Sequence, residues 1–252
     1  MKTLLLACWI LIFTSTSLNA AEVRVAVASN FAVPIKQLAK KFELSSEHKV
    51  RLSIGSSGKF FAQIQHAAPY DLFLSADREK PQALINLGLA VNGSQFTYAQ
   101  GRLVLWSRTT SLVDPQGNVL LRGNYRNLAL ANPKLAPYGA AAVEVLTRLK
   151  LFEKVNPKLI RGENIAQAFQ YVATGNAEIG FISYSQLKQL DSKEMGSYWL
   201  VPESLHSPIR QDLVLLERAK ENPAAAAFIE FLKSEGAQKQ IRQFGYKLSS
   251  SS

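Results

Sequence analysis

Four short segments of this 252-residue chain combine the residue types that hold anions. They are Ala28-Ser29-Asn30-Phe31, Gly55-Ser56-Ser57-Gly58, Ala136-Pro137-Tyr138-Gly139 and Glu163-Asn164-Ile165-Ala166. Each sets small, polar or glycine residues between a strand-like run and the start of a helical pattern. At a helix start the first backbone N–H groups lack an intrahelical partner, and the macrodipole leaves about +0.5 charge there. Such an end binds anions; a serine adds an O–H donor, and small residues let an anion approach the backbone. Serine or asparagine before a helix also serves as an N-cap, and each segment taken alone fits that role. Gly58-Lys59 does not make a phosphate loop: the spacing departs from G-x-x-x-x-G-K-[ST], and Phe60 stands in the Ser/Thr place.

Other chemistry finds less support. His48, His66 and His206 show no metal-ligand spacing and read as surface residues. The H-E-x-x-H and G-x-S-x-G patterns are absent. Asp71, Asp77 and Glu163 are unpaired in sequence and read as salt-bridge or capping residues, so the chain is not expected to be an enzyme. The tyrosines Tyr70, Tyr98, Tyr138 and Tyr184 lack the spacing of a ferric site. Arg161, four residues before Ile165, leaves a carboxylate ligand open, because organic acids recruit arginine.

Alternating strand and helix patterns must position the four segments. Val23–Ala28, Val50–Ile54, Asp71–Ser75, Leu128–Ala131, Ile179–Ile182 and Ile209–Leu216 read as strands. Between them, Phe31–Phe42 carries Ile35, Leu38, Ala39 and Phe42 on one helical face. Further helices are expected near 60–68, 80–87, 139–149 and 166–172, and Asn222-Pro223 opens another as cap and first residue. Such alternation implies mostly parallel sheets flanked by helices. Two long β-rich stretches, near residues 97–106 and 205–216, have the length of segments crossing between two bodies. The expected architecture is two α/β lobes, one of residues 22–98 with 205–252 and the other of 99–204. A ligand would lie in the cleft between them.

The first twenty residues read as a secretory signal peptide: Lys2, an apolar run from Leu4 to Phe13, then small residues, with cleavage near Ala20 or Ala21. That run is shorter than the roughly 20 residues a membrane span needs. Cleavage removes Cys8, the only cysteine, so the mature chain has no disulfide or cysteine metal site. A net charge of +10 concentrates anions near the surface without naming them. Nucleic acid is not expected, because the basic residues are scattered and no aromatic-basic platform appears.

Val27-Ala-Ser-Asn-Phe31, Ser53-Ile-Gly-Ser-Ser-Gly58, Ala68-Pro-Tyr-Asp-Leu-Phe-Leu-Ser-Ala-Asp77 and Asn132-Pro-Lys-Leu-Ala-Pro-Tyr-Gly139 resemble segments of the periplasmic molybdate-binding proteins of ABC transporters. The stretch from Phe96 to Ser107 and the ending Phe244-Gly-Tyr246 add to the match, which covers essentially the whole mature chain in order. The resemblance implies the type II periplasmic-binding-protein fold, a molybdate or tungstate ligand, no cofactor and no directly bound metal. An inner-membrane ABC permease would be the partner of a periplasmic monomer. It places Ser29 and Ser57 as hydroxyl and main-chain donors, with Asn30 joining them. Tyr138 and Ile165 contribute main-chain N–H groups, and Ser56 and Gly58 lie beside them. Some members add a tyrosine hydroxyl; here Ser183 stands in that register and Tyr184 falls one residue late, which on a strand reverses the side chain. The alternative is a binding protein for sulfate, phosphate or a small organic acid, with a periplasmic hydrolase behind it.

Overall fold

The computed structural model describes residues 20–248, so the signal-peptide segment up to Asn19 and the final four serines lie outside the described residues. The strands are β1 (Glu22–Ala28), β2 (Lys49–Gly55), β3 (Leu72–Leu74), β4 (Phe96–Gly101), β5 (Leu103–Ser107), β6 (Leu128–Ala131), β7 (Leu159–Gly162), β8 (Ile179–Ser183), β9 (Ser197–Leu200) and β10 (Ile209–Leu215). The helices are α1 (Ala32–Ser45), α2 (Ser57–Gln65), α3 (Glu79–Asn86), α4 (Val119–Arg122), α5 (Pro137–Arg148), α6 (Phe152–Val155), α7 (Ile165–Ala173), α8 (Tyr184–Leu187), α9 (Pro223–Lys233) and α10 (Glu235–Gln243).

The strands form two five-stranded sheets, ordered β2-β1-β3-β10-β4 and β7-β6-β8-β5-β9. Within each, the βαβ units pair in parallel, as in the register Val25↔Leu52 and Leu128↔Leu159. One strand in each sheet, β10 or β5, runs antiparallel to both neighbours. These two are the first strands after the chain changes sheet. They are entered over short connections, whereas joining a parallel strand takes a crossover of a dozen or more residues. The expected mostly parallel sheets are therefore present, each with one reversed strand. The β-rich stretch 96–107 is two strands, not one: β4 closes the first sheet at Gly101 and β5 opens in the second at Leu103.

Each sheet is buried on both faces. Along β1, Val23, Val25 and Val27 pack with Ile35, Leu38 and Phe228, whereas Ala26 packs on the other face with Phe60, Phe73 and Leu84. In the second sheet Leu103, Leu105 and Phe181 meet Ala141 and Val145, while Val104, Trp106 and Ile182 meet Val172 and Leu187. The period of two sends alternate residues to opposite helical layers. Full burial of both faces is why the strands read as apolar runs rather than alternating patterns. Among the described residues no helix is long and apolar enough to cross a membrane.

Candidate anion-binding site

Four helix starts converge where the two sheets face each other. They line a small, partly open cavity together with Ala28, Ser29, Asn30, Gly55, Ser56, Ser57, Ala76, Ala136, Pro137, Tyr138, Asn164 and Ile165. No lining side chain carries a charge. The segments differ in how they leave a donor free. At α2, Ser56 is the N-cap and accepts from Lys59 N at 3.4 Å, while Gly58 N donates to Leu135 O at 2.8 Å. The Ser57 N–H, at the first helical position, keeps no intrahelical partner. At α7, Asn164 Oδ1 takes the N–H groups of Ala166 and Gln167 at 3.0 and 3.1 Å, leaving that of Ile165. At α5, Pro137 has no N–H and Gly139 N bonds Ala136 O, which leaves Tyr138 N. The fourth is a single 3₁₀ turn, Ser29–Phe31, which continues into α1 and has no side-chain cap.

Ser57 is 1% exposed, and its Oγ accepts from Ala76 N at 2.9 Å. A hydroxyl has one proton and two lone pairs, so this bond leaves its O–H to donate into the cavity. Asn30 is buried with its carboxamide nitrogen turned to Gln211 Oε1 at 2.8 Å and Tyr246 OH at 3.1 Å. What it offers the cavity is therefore chiefly main chain. Tyr138 likewise sends its hydroxyl away, to within 3.3 Å of Gln211 Nε2.

The structure brings Ser29, Asn30, Ser56, Ser57, Tyr138 and Ile165 to one cavity. Gly58 adjoins it but spends its N–H on Leu135. Ser183 and Tyr184 are not brought there. Ser183 is the N-cap of α8 in a capping box with Gln186, and its hydroxyl meets Ser185 Oγ at 3.1 Å. The Tyr184 ring lies under the Arg102 guanidinium at 4.5 Å. The strand ends at Ser183, so a helical turn, not a strand, sets the direction of Tyr184. Sequence reasoning missed Ala76, Asn164 and Gln211. Ala76 lies within the Ser-Ala-Asp stretch already noted, and Asn164 within the fourth segment, but Gln211 carried no local signal.

Charge stays outside. Arg161 is exposed and bonds Asn156 Oδ1 at 2.8 Å, so it brings no guanidinium to the cavity. Lys59 pairs with Glu163 at 3.1 Å across the mouth, half-exposed on both sides, a kind of pair worth about 0–1 kcal/mol. A wider neighbouring groove is lined by Asp77, Arg78, Glu79, Lys80, Glu144 and Arg210. There Lys80 is paired with Asp77 at 2.5 Å and Arg78 with Asp212 at 3.2 Å, so those cations are already engaged. Desolvation pushes the phenol of Tyr138 well above its ordinary pKa, which keeps it neutral. Of the histidines, only His66 is a surface residue; His48 and His206 are buried, because flanking chain covers them. Among the described residues no group of His, Cys, Asp and Glu could hold a metal ion.

Ala28 at the end of β1 and Ala76 just after β3 pack in one apolar cluster with Ala136, Tyr138 and Ile165 at the starts of α5 and α7. Two α/β lobes meeting on a small, neutral, donor-lined cavity define a solute-binding protein. Residues 23–247 match the family described as bacterial extracellular solute-binding protein. The molybdate-binding protein ModA of Azotobacter vinelandii is 50% identical over 230 residues, 91% of each chain. That of Rhodobacter capsulatus is 47% identical over 227 residues, 90% of this chain and 88% of its own. The solved structure of the periplasmic molybdate-binding protein of Azotobacter vinelandii superposes with a TM-score of 0.87 at 40% identity, covering 90% of this chain and all (100%) of the other. The chain belongs to the ModA family of extracellular solute-binding proteins.

Proposed function

We propose that this protein captures molybdate or tungstate in the cavity between its lobes and hands it, in the periplasm, to an inner-membrane ABC permease. The observation that carries the proposal is a small cavity with neutral walls at which four helix starts converge, three of them with a first-turn N–H left without an intrahelical partner. The bound residues would be Ser29, Asn30, Ser57, Tyr138 and Ile165, the last two through main chain. The relatives named as molybdate-binding support the choice of ligand. The chain acts as a carrier without chemistry of its own, as a monomer, with the lobe of the β2-β1-β3-β10-β4 sheet and that of the β7-β6-β8-β5-β9 sheet closing over the anion.

A dianion buried without a cation is costly unless its oxygens are fully hydrogen-bonded. Several converging N–H and O–H donors, each charge-assisted bond worth about 1.5–3 kcal/mol, supply that stabilisation. Sulfate is smaller and leaves donors out of reach, and protonated phosphate needs an acceptor that a site of donors lacks. The test is thermal unfolding of the mature protein with molybdate, tungstate, sulfate, phosphate and citrate in turn. At 1,000 times its dissociation constant a ligand adds about 4 kcal/mol, which raises the midpoint by roughly 8–16 °C at this size. A shift with molybdate and tungstate alone is expected; a larger shift with another anion, or none at all, refutes the proposal.

A further inference from the structure

Behind the cavity, a second layer of neutral polar groups is sealed into the junction of the lobes. Gln211 is its node. It is fully buried in β10, at the irregularity where the register against β4 shifts. Its Oε1 accepts from Asn30 Nδ2 at 2.8 Å and from Tyr98 OH at 3.1 Å, and its Nε2 donates to Tyr138 OH at 3.3 Å. Asn30 and Tyr138 stand at helix starts on opposite sides of the cavity. Tyr98 OH also lies 3.0 Å from Ser75 O, next to Ala76, whose N–H holds Ser57 Oγ. Asn30 and Tyr138 thus lean on one carboxamide that does not itself line the cavity, and Tyr98 shares its single proton between that carboxamide and Ser75 O. Tyr246 OH and Ser185 Oγ complete the layer by donating to Asn30 O at 2.8 and 3.1 Å. The chain makes room for the contact at the crossover. A Cβ on Gly101 would overlap Tyr138 OH and lie 2.9 Å from Gln211 Nε2.

We propose that Gln211 is a positioning residue for oxyanion recognition, setting the separation of the donor sets on the two lobes and hence the size of anion accepted. The proposal rests on the reading of the cavity as a molybdate site. The physical reason is that a carboxamide presents an acceptor and a donor in one fixed plane, so it ties Asn30 and Tyr138 together at one distance. A leucine fills similar space but leaves Asn30, Tyr98 and Tyr138 without that common partner. The lobes then settle at no single spacing, and molybdate loses more than the smaller sulfate does.

The test is equilibrium binding of molybdate and of sulfate to the mature wild type, Gln211→Leu, Gln211→Glu and Tyr138→Phe, with thermal unfolding of each ligand-free protein alongside. The molybdate-to-sulfate affinity ratio should fall about 10-fold or more in Gln211→Leu and in the same direction in Tyr138→Phe, as expected for groups in one hydrogen-bond network. Gln211→Glu should recover toward the wild-type ratio near about pH 5.5, where a buried carboxyl stays protonated and presents acceptor and donor as the carboxamide does, and lose it near about pH 8. Both anions are dianions, so a charge effect alone cancels in the ratio. If the leucine variant does not fold, Tyr138→Phe severs the same link while keeping the α5 start. A lowered midpoint with an unchanged ratio means Gln211 only stabilises the fold, and overturns the proposal while the molybdate reading stands. Wild type that binds no molybdate overturns both.

Discussion

Ser57→Ala separates recognition from folding, because the Ser57 hydroxyl does two things at once. Its oxygen accepts from Ala76 N at 2.9 Å, and its proton remains for the anion. Without the oxygen, the buried Ala76 N–H is stranded at a cost of about 1–3 kcal/mol, which lowers the ligand-free midpoint by roughly 2–12 °C. Without the proton, one charge-assisted bond is lost, worth about 1.5–3 kcal/mol, so molybdate affinity falls roughly 10- to 150-fold. The assay is isothermal titration well below the midpoint of both proteins, so that only folded protein is counted. Ser56→Ala is the control. Its hydroxyl caps α2 at 3.4 Å, so it should cost about 0.5–2 kcal/mol of stability with little change in affinity. If Ser57→Ala binds molybdate as tightly as wild type, the cavity is not the site, or its hydroxyl points elsewhere, and the reasoning fails.

Gly58→Ala should act on closure rather than folding, since the added Cβ would lie 2.9 Å from Leu135 Cα and 3.0 Å from its carbonyl oxygen. Small-angle scattering should show the wild type contracting with molybdate and the variant contracting less, with about 10-fold weaker binding; equal contraction would sink the idea. The phenols of Tyr98, Tyr138 and Tyr246 are all pushed above their ordinary value of 10.0, chiefly by desolvation. A raised folded pKa on an acid means the native state holds the proton more tightly, so stability is full below the unfolded pKa and falls as pH rises beyond it. Unfolding measured against pH should therefore show a decline setting in above about pH 10, and the same stability at about pH 12 as at pH 9 would contradict it.

Much of this protein could be read from its residues. The apolar runs of β1, β6 and β10 announce themselves because both faces of each sheet are buried, and the face of Ile35, Leu38 and Phe42 on α1 because burial against one layer repeats every 3.6 residues. β7 and β9 did not. Each is short like β6 but only partly buried and mixes polar or glycine residues (Arg161, Gly162, Ser197) with apolar ones, so neither shows the unbroken apolar run that marks β6. The four donor segments were legible for a related reason. Binding an anion at a helix start demands small residues, serine or asparagine in a short contiguous stretch, and such stretches survive in sequence order.

What each segment does with its donors was decided only in three dimensions. Ser56 and Asn164 cap their helices, Gly58 gives its N–H to Leu135, and Ser57 keeps a free proton because Ala76, nineteen residues on, takes its lone pair. Nothing local distinguishes Ser56 from Ser57. Likewise Ser183 and Tyr184 fit a family register, but the end of β8 turns them toward Gln186 and Arg102. Gln211, 181 residues from Asn30, meets it only because β10 and β1 share a sheet with β3 between them. The sequence by itself therefore determined the alternating strands and helices, the segments able to donate and the class of ligand they suit. Tertiary structure alone decided which donors stay free, because hydrogen bonds are shared between groups that only folding brings within reach.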